Sequence, residues 1–228
     1  MKAKRRFNIW LWVLLCVPCL LASCDHDVHN GEDDGGLSVS LTWADEADQG
    51  TEVKDVKLWI FNANDGSLVE EKHYSSAKEV ASQRFALPEG SYRILAATNL
   101  TEPFTIGEQT RALSNWNNIQ IGLTNLKDVK HNAYFGVADV RIDNKEGNYV
   151  VQNPVKSVLS ELTIIIENVP KGTEMSGKAL DAAWCLFPTQ KNGDGDYGLP
   201  SIDPTEVEMP TILATESTLQ SEVIRLMP

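Results

Sequence analysis

The chain has 228 residues, with 20 Lys or Arg against 32 Asp or Glu and a formal net charge of −12. The only charges in the first 23 residues are positive (Lys2, Lys4, Arg5 and Arg6), so the chain beyond them stands at −16. A surface this acidic excludes nucleic acid and anionic lipid as favoured partners. Charge carries no message about fold.

Met1 to Arg6 read MKAKRR, and Phe7 to Leu21 read FNIWLWVLLCVPCLL. The apolar run has the length of a signal-peptide core and is short of the ~20 residues a membrane-spanning helix needs. Pro18 inside it would disturb such a helix. Leu21-Ala22-Ser23-Cys24 resembles the lipobox of bacterial lipoproteins: an apolar residue, two small residues that fit a peptidase cleft, then a cysteine. The resemblance implies cleavage between Ser23 and Cys24. It also implies a thioether-linked diacylglycerol and an N-acyl chain on Cys24, with residues 1–23 as the signal peptide. Each buried acyl CH2 contributes ~0.8 kcal/mol, so two or three chains tether stably. Cys16 and Cys19 leave with the signal and Cys24 carries lipid. Only Cys185 then remains, and no intramolecular disulfide is expected.

Residues 24–36 form the expected tether, with Asp25 to Gly36 reading DHDVHNGEDDGG. This polar, glycine-rich stretch has almost nothing to bury. Acidic residues directly after the lipidated cysteine also resemble the surface-export signals of Bacteroidota lipoproteins, which implies outward display. His26 and His29 are spaced like a metal pair, but no further ligands stand near them on a rigid element.

From Leu37 the apolar period becomes two. Leu37, Val39, Leu41 and Trp43 predict a half-buried strand. Val56, Leu58 and Ile60 alternate with Lys57, Trp59 and Phe61 in the next. Asn64-Asp65-Gly66 predicts a hairpin turn, with Leu68 to Tyr74 as the returning strand. Phe85 and Leu87 are expected to close another strand. Pro88-Glu89-Gly90 turns the chain into a strand over Tyr92 to Thr98. A short helix is expected over Thr105 to Asn115. Further strands follow over Ile119 to Leu123, Tyr134 to Ile142, Tyr149 to Gln152 and Leu159 to Val169, where Leu162, Ile164 and Ile166 share a core face. Beyond Lys171 the pattern fades among Pro188, Pro200, Pro204 and Pro210, and Val223 to Leu226 is a last apolar stub.

Many short strands separated by turn signals predict an all-β sandwich architecture. The 205 residues after the signal suit two sandwiches in tandem, residues 37–153 and 154–228, with the boundary at Asn153-Pro154. The second is short for a full sandwich. It is either incomplete or finished by strands beyond residue 228.

Two stretches resemble the fimbrillin superfamily of the Bacteroidales. The first is Lys57-Leu58-Trp59-Ile60-Phe61 with Asn62 and Asp65-Gly66. The second runs from Leu87-Pro88-Glu89-Gly90-Ser91-Tyr92-Arg93-Ile94 through Ala96-Ala97 to Asn99-Leu100. The physics suits the corner: Gly90 permits a tight turn, and Tyr92 can bury its ring while its hydroxyl reaches backbone. Ser160 to Ile164 looks like the opening strand of the family's second domain, without the arginine often found just before it. The resemblance implies two transthyretin-like β-sandwiches and, with a lipid anchor, the minor anchor or assembly type of subunit. Shaft subunits lose a leading segment after a basic residue. Here Arg84 falls in a strand and Arg111 in the expected helix, so the anchor type is favoured.

No catalytic constellation is legible, and an enzyme is not expected. His26, His29, His73 and His131 sit in no nucleophile or metal motif, and Glu70 and Glu71 alternate onto opposite faces. Asn192-Gly193-Asp194-Gly195-Asp196 begins like a calcium loop. It departs at Tyr197 and Asp203, so a polar hairpin loop is the reading. No metal and no cofactor other than the lipid on Cys24 is expected. Trp43, Trp59, Trp116 and Trp184 are the aromatic candidates for stacking on sugars. The expected function is anchoring or assembly of fimbriae from the outer membrane, with other fimbrial subunits as partners, held by strand donation into residues 154–228. Glycan capture for nutrient uptake is the alternative.

Overall fold

Apolar residues on both faces place β2 (Lys54–Asn62) between two layers of core. Val56, Leu58 and Ile60 pack on one side and Trp59 and Phe61 on the other, all buried. A strand covered on both faces reads as a near-continuous apolar run. In the computed structural model, described residues are 35–45, 52–107, 114–125, 129–202, 205–209 and 211–227. All fall within the unit Gly35–Pro228. The expected signal peptide, Ser23, Cys24 and the expected tether through residue 34 lie outside them, as does Arg111.

β2 belongs to a six-stranded sheet of order β1-β8-β7-β4-β2-β3. Its other members are β1 (Gly36–Trp43), β3 (Leu68–Ser76), β4 (Gly90–Thr98), β7 (Tyr134–Ile142) and β8 (Asn148–Ser157). All neighbours are antiparallel except β1 and β8, which run parallel. A four-stranded sheet of order β14-β13-β6-β5 is formed by β5 (Phe104–Gly107), β6 (Gln120–Leu123), β13 (Cys185–Lys191) and β14 (Tyr197–Pro200). Trp59, Phe61, Leu95 and Phe135 of the first sheet cluster with Phe104, Ile121 and Leu186 of the second. This is the sandwich core, and the fold is all-β. On the opposite face of the first sheet, Leu58, Ile60 and Ile94 cluster with Leu37, Val80, Phe85 and Leu87. The expected boundary at Asn153-Pro154 falls inside β8, where Asn153 is wholly buried. The four-stranded sheet crosses that boundary, drawing β5 and β6 from before it and β13 and β14 from after it.

The remaining strands form a ladder of two-stranded ribbons. β9 (Ser160–Leu162) pairs with β18 (Ile224–Leu226), and β10 (Ile165–Glu167) with β17 (Thr218–Gln220). β11 (Glu174–Met175) pairs with β16 (Ile212–Leu213), and β12 (Lys178–Ala182) with β15 (Thr205–Glu208). Successive pairs nest, so residues 160–182 run from β8 to β13 of the four-stranded sheet and residues 205–226 run back alongside them.

The turn signals hold. Gly66 takes φ +74° in the β2–β3 turn, and its N–H donates to the Asn62 carbonyl at 2.9 Å. The corner after Pro88 is fixed by the Tyr92 hydroxyl, which donates to the Pro88 carbonyl at 2.8 Å. Asn99, which ends β4, adopts φ +59°. Its side-chain oxygen accepts from the Lys54 N–H at 2.9 Å, and its amide donates to the Glu52 carbonyl at 3.3 Å. Asn tolerates the left-handed region and mimics a backbone amide there.

Two expectations are corrected. The helix over 105–115 is not formed in the described part. Phe104–Gly107 is strand, because Phe104 is buried and Ile106 packs against the same core while pairing with Ile121; residues 108–113 lie outside the described residues. Phe85 and Leu87 do not close a strand: Phe85 makes only an isolated bridge to Leu37. The approach to it is instead a short helix, α1 (Ala77–Ala81), capped by Ser76. The Ser76 hydroxyl accepts from the Glu79 N–H, and the Glu79 carboxylate in turn accepts from the N–H and hydroxyl of Ser75.

Candidate functional site

The ribbons set the chemistry of the second half. A two-stranded ribbon is marginal by itself, and each of its strands leaves one edge of backbone donors and acceptors unpaired by sheet. Leu162, Ile164 and Ile166 do not line a core as expected. The segment breaks into β9 and β10, leaving Leu162 42% and Ile166 38% exposed and only Ile164 half-buried. The break falls where the Ile164 N–H donates to the Ser221 hydroxyl at 2.9 Å. Across the ladder Ile166 faces Leu219, which is buried. Ile165, Leu180, Leu213 and Val223 are also exposed. Ion pairs between Arg225 and Glu161 and between Lys178 and Glu206, each at 2.8 Å, tie opposite strands together. Exposed pairs of this kind stabilise by a few tenths of a kcal/mol. The arrangement therefore presents apolar side chains beside open strand edges, which is the surface an added strand recognises.

The tryptophan candidates separate cleanly. Trp59 is 2% exposed and Trp116 is also buried, so neither offers a face to a sugar. Trp59 is buried because β2 has core on both sides. Trp43 is half-buried against the edge of Tyr134, and Trp184 is 37% exposed. Trp116 also carries the Arg93 guanidinium over its ring at 5.3 Å and meets Tyr197 edge-on. Burial raises the Tyr197 phenol above its usual range, with Asp139 adding to the rise and Arg93 opposing it.

His73 pairs with Asp55, and His131 lies 3.1 Å from the Thr101 hydroxyl. Asp55, Asn99, His131 and Tyr134 border one open surface hollow of about 300 Å3. Among the described residues no group of three His, Cys, Asp or Glu side chains is placed to hold a metal ion. The 192–196 segment is a hairpin loop between β13 and β14, as read. The Asn192 side-chain oxygen accepts from the N–H groups of Asp194 and Asp196, at 3.0 Å each. Ser23, Cys24, His26 and His29 lie outside the described residues. Sequence reasoning missed Leu180, Leu213 and Ile202, which sit among prolines in a region without period. Their only signal is an apolar side chain in a segment too short to bury it.

A profile for the fimbrillin-A associated anchor proteins Mfa1 and Mfa2 matches residues 23–210. The fold is shared with the fimbrial anchor protein Mfa2 from Porphyromonas gingivalis, at 15% identity and a TM-score of 0.63, covering 84% of this chain and 72% of that one. It is also shared with an adhesin candidate from Bacteroides thetaiotaomicron, at 13% identity and a TM-score of 0.60 over 83% of this chain and 70% of that one. No curated protein sequence matches the chain. The chain belongs to the fimbrillin-A associated anchor protein family, and its role lies in fimbrial anchoring or adhesion.

Proposed function

We propose that this protein is a lipid-tethered subunit of the outer membrane, displayed outward, that anchors a fimbria or assists its assembly. The observation that carries the reading is the family match over residues 23–210, which begins at the lipobox itself. Acyl chains on Cys24 hold the protein to the membrane, and residues 25–36 lift the folded part clear of it. No cofactor beyond that lipid and no catalytic step is assigned.

The neighbouring fimbrial subunit is held by a donated strand laid against the ribbons of residues 160–226. Main-chain hydrogen bonds along an open edge give affinity, and alternate side chains meeting Leu162, Ile166 and Leu180 give specificity. Glycan capture is the poorer reading, because of its four tryptophan candidates Trp59 and Trp116 are buried, Trp43 is half-buried and Trp184 alone is exposed. Deleting the gene and imaging fimbriae tests the reading. Fimbriae of altered length or lost attachment are expected, and unchanged length and attachment would overturn it.

A further inference from the structure

A protein that holds a fimbria to a cell carries tension, and the path of that tension through the fold is fixed by topology. Cys24 lies twelve residues before Gly36, the first residue of β1. Force from the membrane therefore enters at the N-terminal end of β1. At the other side, β8 ends at Ser157 and the chain passes through Val158 and Leu159 directly into β9. The far end of the ribbon ladder, β12 and β15, joins β13 and β14 of the four-stranded sheet, so it is a partner's pull on β9 that enters at the C-terminal end of β8.

β1 and β8 are parallel neighbours, paired from Gly36 opposite Asn148 to Trp43 opposite Val155. The pairing is bracketed by Gly36 N–H to Gly147 O at 2.9 Å and Ala44 N–H to Val155 O at 2.8 Å. In a parallel pair, the N-terminus of one strand and the C-terminus of the other lie at opposite ends of the ladder. Tension between them slides the strands past each other, and all the evenly spaced hydrogen bonds bear it together. Tension applied to the same end of both strands would break the bonds one at a time.

The rest of the sheet makes this ladder the critical connection. β8 pairs with β7 only from Val155 to Ser157, so residues 148–154 have β1 as their sheet neighbour. On its other edge β1 is held by one bridge, in which Leu37 and Phe85 exchange hydrogen bonds of 3.0 and 2.8 Å. Leu37 and Val39 are fully buried, so sliding β1 also drags apolar side chains out of the core.

We propose that the parallel β1–β8 pair is a mechanical clamp, loaded in shear between the membrane tether and β9, the end of the ribbons that continues directly from β8. The proposal rests on the anchoring reading for its direction of load, but its test does not require a fimbria. The mature, unlipidated chain is held by handles on Cys24 and on Ser160→Cys, and its unfolding force is measured by force spectroscopy. Cys185 is buried and takes no handle. A second form carries Cys24→Ser, Asp45→Cys and Ser160→Cys, so that both handles pull at the same end of the ladder. Asp45 and Ser160 are exposed, and matching denaturation midpoints establish that the two forms are equally folded.

The first geometry is expected to unfold at a force roughly twofold or more above the second, since forced unfolding is governed by the barrier along the pulled path. Equal forces, or the reverse order, would overturn the clamp. Normal fimbriae in the deletion strain would overturn the anchoring reading while leaving the measured asymmetry in place, so the two failures are distinguishable.

Discussion

The hydroxyl of Tyr92 donates a 2.8 Å hydrogen bond to the carbonyl oxygen of Pro88. Between the two residues the chain turns at Gly90, where an added Cβ would lie 3.4 Å from the Tyr92 hydroxyl oxygen. The ring is 5% exposed, and burial raises the phenol above its usual pKa. Tyr92→Phe keeps the packing and loses the bond, so it should cost about 1 kcal/mol. Tyr92→Ala also opens a cavity and should cost ~3 kcal/mol or more. Equilibrium denaturation of both variants gives the two values, and a Phe variant as unstable as the Ala variant would contradict this account of the corner.

The cap of α1 should titrate. The Ser75 amide and hydroxyl hold the Glu79 carboxyl below its usual pKa. A group with a depressed folded pKa contributes stability above its unfolded pKa and loses it as pH falls through the folded one. The cap should therefore be intact at neutral pH and weaken in the acid range below the usual carboxylate pKa. Glu79→Gln should remove that component of the acid response. A Glu79 resonance titrating at an unshifted position in an NMR pH series would contradict it.

Gly136 lies in β7 opposite Val155 of β8. An added Cβ would sit 2.2 Å from the Asn153 side-chain oxygen and 2.6 Å from the Pro154 carbonyl oxygen. Backbone cannot yield as a flexible side chain can. Gly136→Ala should cost about 1–3 kcal/mol through overpacking, read from the shift of the denaturation midpoint. An unchanged midpoint would show that β8 can retreat.

The strands legible in the sequence are those with one face in a core and enough length to show it. Tyr134 to Ile142 was predicted with the bounds of β7. The Asp-Gly turn and the Pro88 corner were legible because their geometry demands particular residues. The helix at Ala77–Ala81 was not, because five residues are too few for a 3.6-residue stripe, although Ser76 and Glu79 stand at capping-box spacing. Trp59 stands among the sugar-stacking candidates because alternation identifies two faces without telling whether both are covered. Of the ribbons, β9 and β10 fall within the strand expected over Leu159 to Val169 and β18 within the stub Val223 to Leu226; β12 and β16 are not legible, because Leu180 and Leu213 are exposed and exposed strands of five and two residues carry no period.

Strand donation has a covalent test. Leu180→Cys and Leu213→Cys place thiols on the exposed ribbons, and cross-linking in cells should trap another fimbrial subunit. Products confined to the same chain, or none while fimbriae still assemble, would rule out donation at these ribbons.

The central claim is that lipid on Cys24 holds a fimbria to the cell through this protein. The most direct measurement is made in a strain whose only copy carries Cys24→Ser, by counting fimbriae that remain on cells against those released into the medium. An uncut signal, no acyl label on the protein and a marked loss of cell-attached fimbriae are expected. Normal processing with fimbriae retained at the parental number would contradict it.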